Sequence, residues 1–348
     1  MVYKVDNSTS VPVMPTPGAA GTGGWFTPGN PLASIPATRV PADWCNMVQA
    51  ELLNVISAAG ISPDKSKQDQ LLTAMRKLGR FKLQGATTLY VTSTGNDTTG
   101  DGSVSAPFAS VTGAWDYLIK NIDVNGQTVT IQVAEGTYTA GASLTGQPVG
   151  ATSQLIAIQG NTANPAACSI NASVGNGFTA NFGAKASIRG FKVTAPQNPA
   201  DFTSRGCGIA AVNGSFLLFR DMDFGTCSDA HIRCEFGSII GMNAVAANSA
   251  PYSISGNANN HIFVGQASVV NLNGAIITLS GSRAFSVFAN SYFGLILSSL
   301  NSFIGTVGST TGQRYVSAWN GVIATNGSGA NHFPGSIAGV SQTGGQYN

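Results

Sequence analysis

The sequence predicts a mostly β protein built around a right-handed parallel β-helix, on three observations. Of its 348 residues 43 are glycine and only 9% are charged, with Gly, Ser, Thr, Asn and Ala filling positions where Lys and Glu are usual. That composition suits short strands joined by tight turns and disfavours helices. Apolar residues alternate with period two at Leu89-Tyr90-Val91 and from Thr128 to Val133, the signature of strands with one buried face. An internal repeat then runs from Phe178 to Leu300.

The repeat is anchored at Phe178, Ile209, Ile232, Ile262 and Phe285, spaced by 31, 23, 30 and 23 residues. Two positions on stand Ala180, Ala211, Cys234, Val264 and Val287; five on, a turn-like column of Gly183, Gly214, Gly237, Ala267 and Asn290. Six on, Ala184, Ser215, Ser238, Ser268 and Ser291 are all small. Eight on come Ala186, Leu217, Ile240, Val270 and Phe293; ten on, Ile188, Phe219, Met242, Leu272 and Leu295; fifteen on, Val193, Phe224, Ala247, Ile277 and Leu300. A solenoid keeps such a register because each coil stacks its inward side chains on those of the next, while insertions bulge at one corner. The regular Leu and Asn ladders of a leucine-rich repeat are missing. Exposed strand edges at the two ends of a solenoid need covering, and the N-terminal helices and C-terminal tail are the available caps.

The elements follow in order. Residues 1–42 form a strap rich in Pro and Gly, too poor in apolar residues to fold alone; its Trp25 and Phe26 are candidate anchors to a partner. Residues 43–85 are helical. Asp43 is placed as the N-cap of a helix carrying Trp44, Val48, Leu52, Val55 and Ala59, which Gly60 ends. Ser62-Pro63-Asp64 reads as the start of a second helix, whose apolar stripe is Leu71, Leu72, Met75 and Leu78. Residues 86–308 are the β-helix, with one short helix suggested by Trp115, Leu118, Ile119 and Ile122. Residues 309–348 are expected to cap or tip it.

Composition also excludes functions. A net charge of +2 leaves no basic excess for a run of phosphates, so nucleic acid is not expected as a partner. No apolar run is long enough to span a bilayer, and the opening Met1-Val2-Tyr3-Lys4-Val5-Asp6 lacks the apolar core of a signal peptide. Synthesis in a cytoplasm without a signal peptide is therefore expected. Cys45, Cys168, Cys207, Cys227 and Cys234 lack metal-ligand spacing and read as reduced thiols. The Gly/Asp loop of Gly95, Asp97, Gly100, Asp101 and Gly102 has too few acids for a calcium loop of the EF-hand kind and is explained by Asx turns. No metal or cofactor is expected.

Several segments resemble a known family. Tyr90-Val91-Thr92-Ser93-Thr94-Gly95-Asn96-Asp97, Gly100-Asp101-Gly102, Pro107-Phe108 and Ala114-Trp115-Asp116-Tyr117-Leu118 resemble the entry segment of pectate-lyase-like β-helices in bacteriophage tail fibres and tailspikes. The stretch from Val129 to Tyr138 is similar to the first coil of those proteins. Lys4-Val5-Asp6-Asn7, Phe26-Thr27-Pro28-Gly29-Asn30-Pro31 and the helix from Asp43 to Leu52 resemble their virion-attachment end. Gly312-Gln313-Arg314-Tyr315, Asn320-Gly321-Val322-Ile323, His332-Phe333-Pro334-Gly335 and Gly344-Gly345-Gln346-Tyr347 look like the distal end. The resemblance implies a homotrimer in the virion tail, attached to tail or baseplate proteins through residues 1–80, with Trp25, Phe26 and Trp44 as anchors, and binding a host surface glycan or other receptor.

Many such proteins cleave polysaccharide with carboxylates on the outer face of the β-helix, which requires two acids across the scissile bond or a base with a charge stabiliser. The acids of the repeat region are Asp201, Asp221, Asp223, Asp229 and Glu235. With Ile232 and Cys234 inward, alternation turns His231, Arg233 and Glu235 outward, and His261 takes the place of His231 one coil later. Candidate catalytic residues are accordingly Asp221, Asp223, Asp229, Glu235 and His231, and candidate glycan contacts are Arg233, His261 and Tyr292. The plain alternative is a set of solvated or inter-subunit salt bridges. Scarcity of acids favours sugar binding over a polysaccharide hydrolase or lyase.

Overall fold

A computed structural model describes residues 3–196, 205–242 and 251–348. Asp201 and Ala247, named above, lie outside them. The chain divides into two compact units, Met1–Phe81 and Lys82–Asn348.

In the first unit, α1 (Ala42–Ala58) and α2 (Gln70–Leu78) meet through Ile56, Ala59 and Ala74. Asp43 does not cap α1. Pro41 is the capping residue, and Asp43 lies in the first turn, where its carboxylate accepts the Gly18 amide at 2.9 Å and so ties the strap to the helix. The second helix starts later than Ser62-Pro63-Asp64 suggests. Asp64 instead accepts the amide and hydroxyl of Ser66, a local turn that competes with helix, and Gln70 pins the loop by bonding Ser62 and Asp64. Trp44, Leu72, Met75 and Leu78 stay exposed, as do Trp25 at 96% and Phe26, whose ring meets that of Trp44 edge-on at 5.3 Å.

The second unit is a parallel solenoid of three sheets, its strands paired in parallel from Thr87–Val91 with Val129–Val133 to Val322–Ala324 with Gln346–Tyr347. The first sheet runs from Thr87–Val91 through Val129–Val133 and Ile156–Gln159 to Gln346–Tyr347. The second includes Gly136–Tyr138, Cys168–Asn171, Pro251–Ile254, Ile276–Leu279 and Ser302–Gly305. Lys185–Ala195 and Phe216–Cys227 bend through the corner between them and belong to both. Gly190 (φ 78°) and Asp221 (φ 51°) make that bend at equivalent positions. The third sheet has eight strands, from Ala142–Thr145 to Val340–Ser341. Residues 309–348 do not form a separate cap: Thr310–Ala318, Val322–Ala324, Val340–Ser341 and Gln346–Tyr347 extend the first and third sheets.

Inward files fill the interior. Phe178, Ile209, Ile232 and Ile262 are consecutive register partners, as the repeat requires, and Ile131, Ile158, Ile188, Phe219 and Met242 form a second file. The following coil departs from the expected register. Ile262 pairs with Ala289, not Phe285, and Val270 with Ile296, not Phe293. Arg283–Tyr292 is a longer strand with a register shift between Ala284 and Val287, and Phe285 enters the core ahead of the paired stretch. Likewise Ile277 follows Tyr252 and Met222, not Phe224, and exposed Leu300 is not its successor; Phe303 is.

The starting edge is covered by α3 (Val111–Asn121), capped by the Ser110 hydroxyl, which accepts from the Gly113 amide. Asp97 accepts the amides of Ala109 and Ser110 and the Ser110 hydroxyl. From α3, Thr112 accepts the Ser143 amide of the first strand in the third sheet, and Trp115 donates to the Thr145 carbonyl. The helix therefore satisfies edge groups that a preceding coil would otherwise satisfy.

The corner from the third sheet to the first is left-handed in every coil. Gly146, Phe182, Asn213, Phe236, Gln266, Phe293, Trp319 and Thr343 follow equivalent strand positions, all with φ between 49° and 72°. A bulky residue in this conformation carries roughly 1–2 kcal/mol of strain.

Removing one member of an inward file leaves a void between coils that cannot collapse freely. Ile232→Ala is expected to lower unfolding stability by about 2–5 kcal/mol, read as a fall in the urea midpoint; a change within about 0.5 kcal/mol would place Ile232 outside the packed interior.

Candidate functional site

The polar cluster expected on one outer face is split over four surroundings. Asp221 sits at the corner between the first two sheets, 3.4 Å from Arg220 Nε. Burial raises its pKa above the ordinary carboxylate range, against the pull of Arg220 and Arg189. Asp223 faces outward on the second sheet, where Lys192 of the preceding coil lies 3.3 Å away and Ser253 and Ser255 of the next donate to it at 3.0 and 2.9 Å. Each of its partners comes from a neighbouring coil, so it acts as a stitch across the stack.

Asp229, Arg233 and Glu235 meet on the outer side of the third sheet. Arg233 donates from Nη1 to Asp229 at 2.5 Å and from Nε to Glu235 at 2.6 Å, and its guanidinium lies 4.2 Å from the centroid of the Phe263 ring. Phe263 is its register partner in the next coil. Burial opposes the guanidinium charge, but hydrogen bonding and attraction to Glu235, then Asp229, outweigh it and raise its pKa. The Cys207 thiol donates to Asp229 at 3.5 Å and is held protonated by burial and by that carboxylate. Arg233 and Glu235 are each only 4% exposed. Arg233 thus neutralises two carboxylates in a closed cluster and offers no face to a sugar.

His231 and His261 point inward, contrary to the alternation argument. The alternation anchored at Ile232 and Cys234 does not extend back to residue 231, where the chain is still entering its strand. The His231 ring stacks on core Phe224 at 5.5 Å, and His261 packs on core Phe288 at 4.7 Å. Both are fully buried. Burial pushes His231 down to about 3 and also lowers His261, with His231 beside it adding to the effect. Both rings are therefore neutral, and their partners fix the tautomers. The Gly225 carbonyl can only accept, so His231 donates from Nε2 at 3.0 Å. His231 Nδ1 then accepts from His261 Nδ1 at 3.0 Å, and His261 Nε2 accepts from the Tyr252 hydroxyl at 2.8 Å. Tyr252 is the member that the sequence concealed, because the segment before it varies the coil length.

Tyr292 is half-buried between Phe263 at 5.8 Å and Trp319 at 5.0 Å. It is the register partner of Gly265 in the preceding coil. The described residues contain no group of three or more His, Cys, Asp or Glu arranged to hold a metal. The Gly/Asp loop is made of Asx turns, with Asn96 accepting from Thr98 and Thr99 and Asp101 from Ser103. All five cysteines are free thiols.

Comparison with known proteins adds identity to this geometry. The chain is 30% identical over 175 residues to the uncharacterized protein StfP of Escherichia coli K12, covering 46% of this chain and 81% of StfP. This chain belongs to the StfP family. It is also 38% identical over 84 residues to the Mu-like prophage FluMu defective tail fiber protein of Haemophilus influenzae, and 39% identical over 79 residues to tail fiber protein S of Escherichia phage Mu. Those matches take in 24% and 22% of this chain but only 13% and 15% of the two tail fibre proteins. The chain is thus a relative of phage tail fibre proteins that carries a parallel β-helix. No family model and no solved structure matches it.

Two outcomes follow for the buried polar groups. Arg233→Met strands two carboxylates in a closed site and is expected to cost about 3–5 kcal/mol of stability, measured by urea unfolding. Below pH 6.5 the unfolded histidines gain protons that the folded rings refuse, down to about 3 for His231. Stability is then full above pH 6.5 and falls with pH at roughly 1.4 kcal/mol per unit for each ring. Unfolding midpoints that do not change between pH 7 and 5 would contradict the buried neutral pair.

Proposed function

We propose that this chain is a tail fibre component of a phage or phage-derived particle, made in the bacterial cytoplasm and assembled as a homotrimer. Its first unit joins tail or baseplate proteins, and its solenoid contacts a glycan or other receptor on the host surface. The observation that carries this reading is the kinship with named tail fibre proteins in a chain whose main body is a parallel solenoid. The exposed Trp25, Phe26 and Trp44 of the first unit suit a docking role, because an assembled partner would cover apolar rings that the unit itself leaves in water.

Binding is favoured over cleavage. Asp229 and Glu235 are both committed to Arg233, Asp223 to Lys192 and two serines, and His231 to the interior. A glycosidase needs two acids facing one bond roughly 5–10 Å apart; here Asp223 lies on the second sheet, and Asp229 and Glu235, together on the third, both close on Arg233. The test combines three measurements on the full chain: antibody labelling of particles in the electron microscope, sedimentation, and adherence of purified protein to host cells. Label on the tail, a trimeric mass and saturable adherence are expected. Label absent from the tail, or no adherence, would overturn the reading. Release of new reducing ends from host polysaccharide would replace binding with depolymerisation.

A further inference from the structure

An outward file at the end of the first sheet reads Gln132, Gln159, Arg189, Arg220 over successive coils, each residue the register partner of the one before. The two amides show that the fold accepts a neutral residue at this place. Two cations in register, one coil or about 4.8 Å apart along the stack, repel each other, so coil stacking gives no reason for the pair. The arginines are also poorly satisfied. Nε of each is closed to water and has no hydrogen-bond acceptor. Arg189 donates from Nη2 to the uncharged amide oxygen of Gln159. Arg220 meets Asp221 at 3.4 Å through that same Nε, an ion pair without a hydrogen bond. Arg233 on the third sheet shows how this fold treats a structural arginine, closing it between two carboxylates and a ring.

Among the described residues the charges acting on Arg189 are Arg220 and Asp221. Two guanidiniums thus share one carboxylate, and at least one positive charge is left uncompensated. Burial, then the charge of Arg220, pulls the Arg189 pKa below its ordinary value, with Asp221 opposing. An arginine so placed keeps its proton and gains from any anion that reaches it. The Arg220 side chain keeps 21% of its surface in water although Nε is closed, and the forked Nη edges of the pair suit a flat or tetrahedral oxyanion. A polar groove of about 380 Å³ lies beside them, lined by Gln132, Gln159 and Asn161 among others. Gln159 belongs both to this groove and to the hydrogen bond with Arg189. Glu135, also in the groove, is engaged by the Asn161 amide at 2.7 Å. A run of phosphates would need many more cations than these two. One oxyanion beside a row of amides fits an acidic sugar chain, whose hydroxyls suit the amides.

We propose that Arg189 and Arg220 hold a singly charged oxyanion, a carboxylate or a phosphodiester, of an acidic surface glycan whose neighbouring hydroxyls lie along Gln159 and Gln132. The proposal rests on the reading of the chain as a receptor-binding fibre and names a site and the chemistry of its ligand. It is tested by titration calorimetry on the full chain, with trigalacturonate as the carboxylate probe, a glycerol phosphate trimer as the phosphodiester probe, and the methyl ester of trigalacturonate as the neutral control. One or both anions are expected to bind, about tenfold or more weakly when salt is raised from about 0.05 to 0.5 M, and the ester not at all; the anion that binds names the oxyanion. Arg189→Gln, which restores the amide of the preceding coil, is expected to lose about tenfold or more in affinity. Its thermal midpoint stays level or rises, because the repulsion with Arg220 is gone. Lys120→Gln, which removes a cation from α3, is expected to bind like the parent. Failure of both anions to bind, an ester that binds as well as the acid, unchanged affinity in Arg189→Gln, an equal loss in Lys120→Gln, or a lowered midpoint in Arg189→Gln would each overturn the site. Adherence to host cells separates the two readings. If Arg189→Gln adheres like the parent, the site is removed and the receptor-binding fibre stands. A parent that does not adhere removes the fibre reading, and the titrations still judge the oxyanion site.

Discussion

Everything in the second unit depends on one coil lying in register on the next. Each strand satisfies its backbone groups through its neighbours above and below, and the same register places Ile209 under Ile232 and Ile232 under Ile262. Hydrogen bonding and apolar burial therefore cannot be satisfied independently. A one-residue slip would turn a whole inward file to water, so sequence alternation and coil register hold each other in place.

The polar groups obey the same constraint. Lys192, Asp223 and Ser253 occupy one outward file and are joined across three coils. Arg233 rests on Phe263 of the next coil while closing over Asp229 and Glu235. The Tyr252, His261, His231 and Gly225 chain links the second and third sheets through the interior with every donor directed to one acceptor. Residues that look like a catalytic set in the sequence are thus used to fasten coils together.

Much of the fold was legible because a period-two pattern and small corner residues report stacking directly. The file through Ile262 and the small residues Ser215, Ser238 and Ser268 fell where the repeat placed them. The next coil was misread because Phe285 and Ala289 differ by an even number of residues, and an even shift leaves the alternation of inward and outward residues intact. The site was less legible. Alternation assigns a side to residues inside a strand, but His231 lies where the strand begins, and its neighbours Phe224 and Tyr252 come from another sheet. Capping failed for a similar reason, since Asp43 found a partner in the strap and Asp64 in a local turn. The left-handed corner escaped notice because φ is invisible in a sequence when the residues holding it are Phe and Trp in place of Gly and Asn.

A density map of the second unit at side-chain resolution tests the stacking most directly. The account requires Ile209, Ile232, Ile262 and then Ala289 in a single file, with successive Cα atoms about 4.8 Å apart. A map with Phe285 directly above Ile262, or with His231 and His261 on the outer surface, would contradict it.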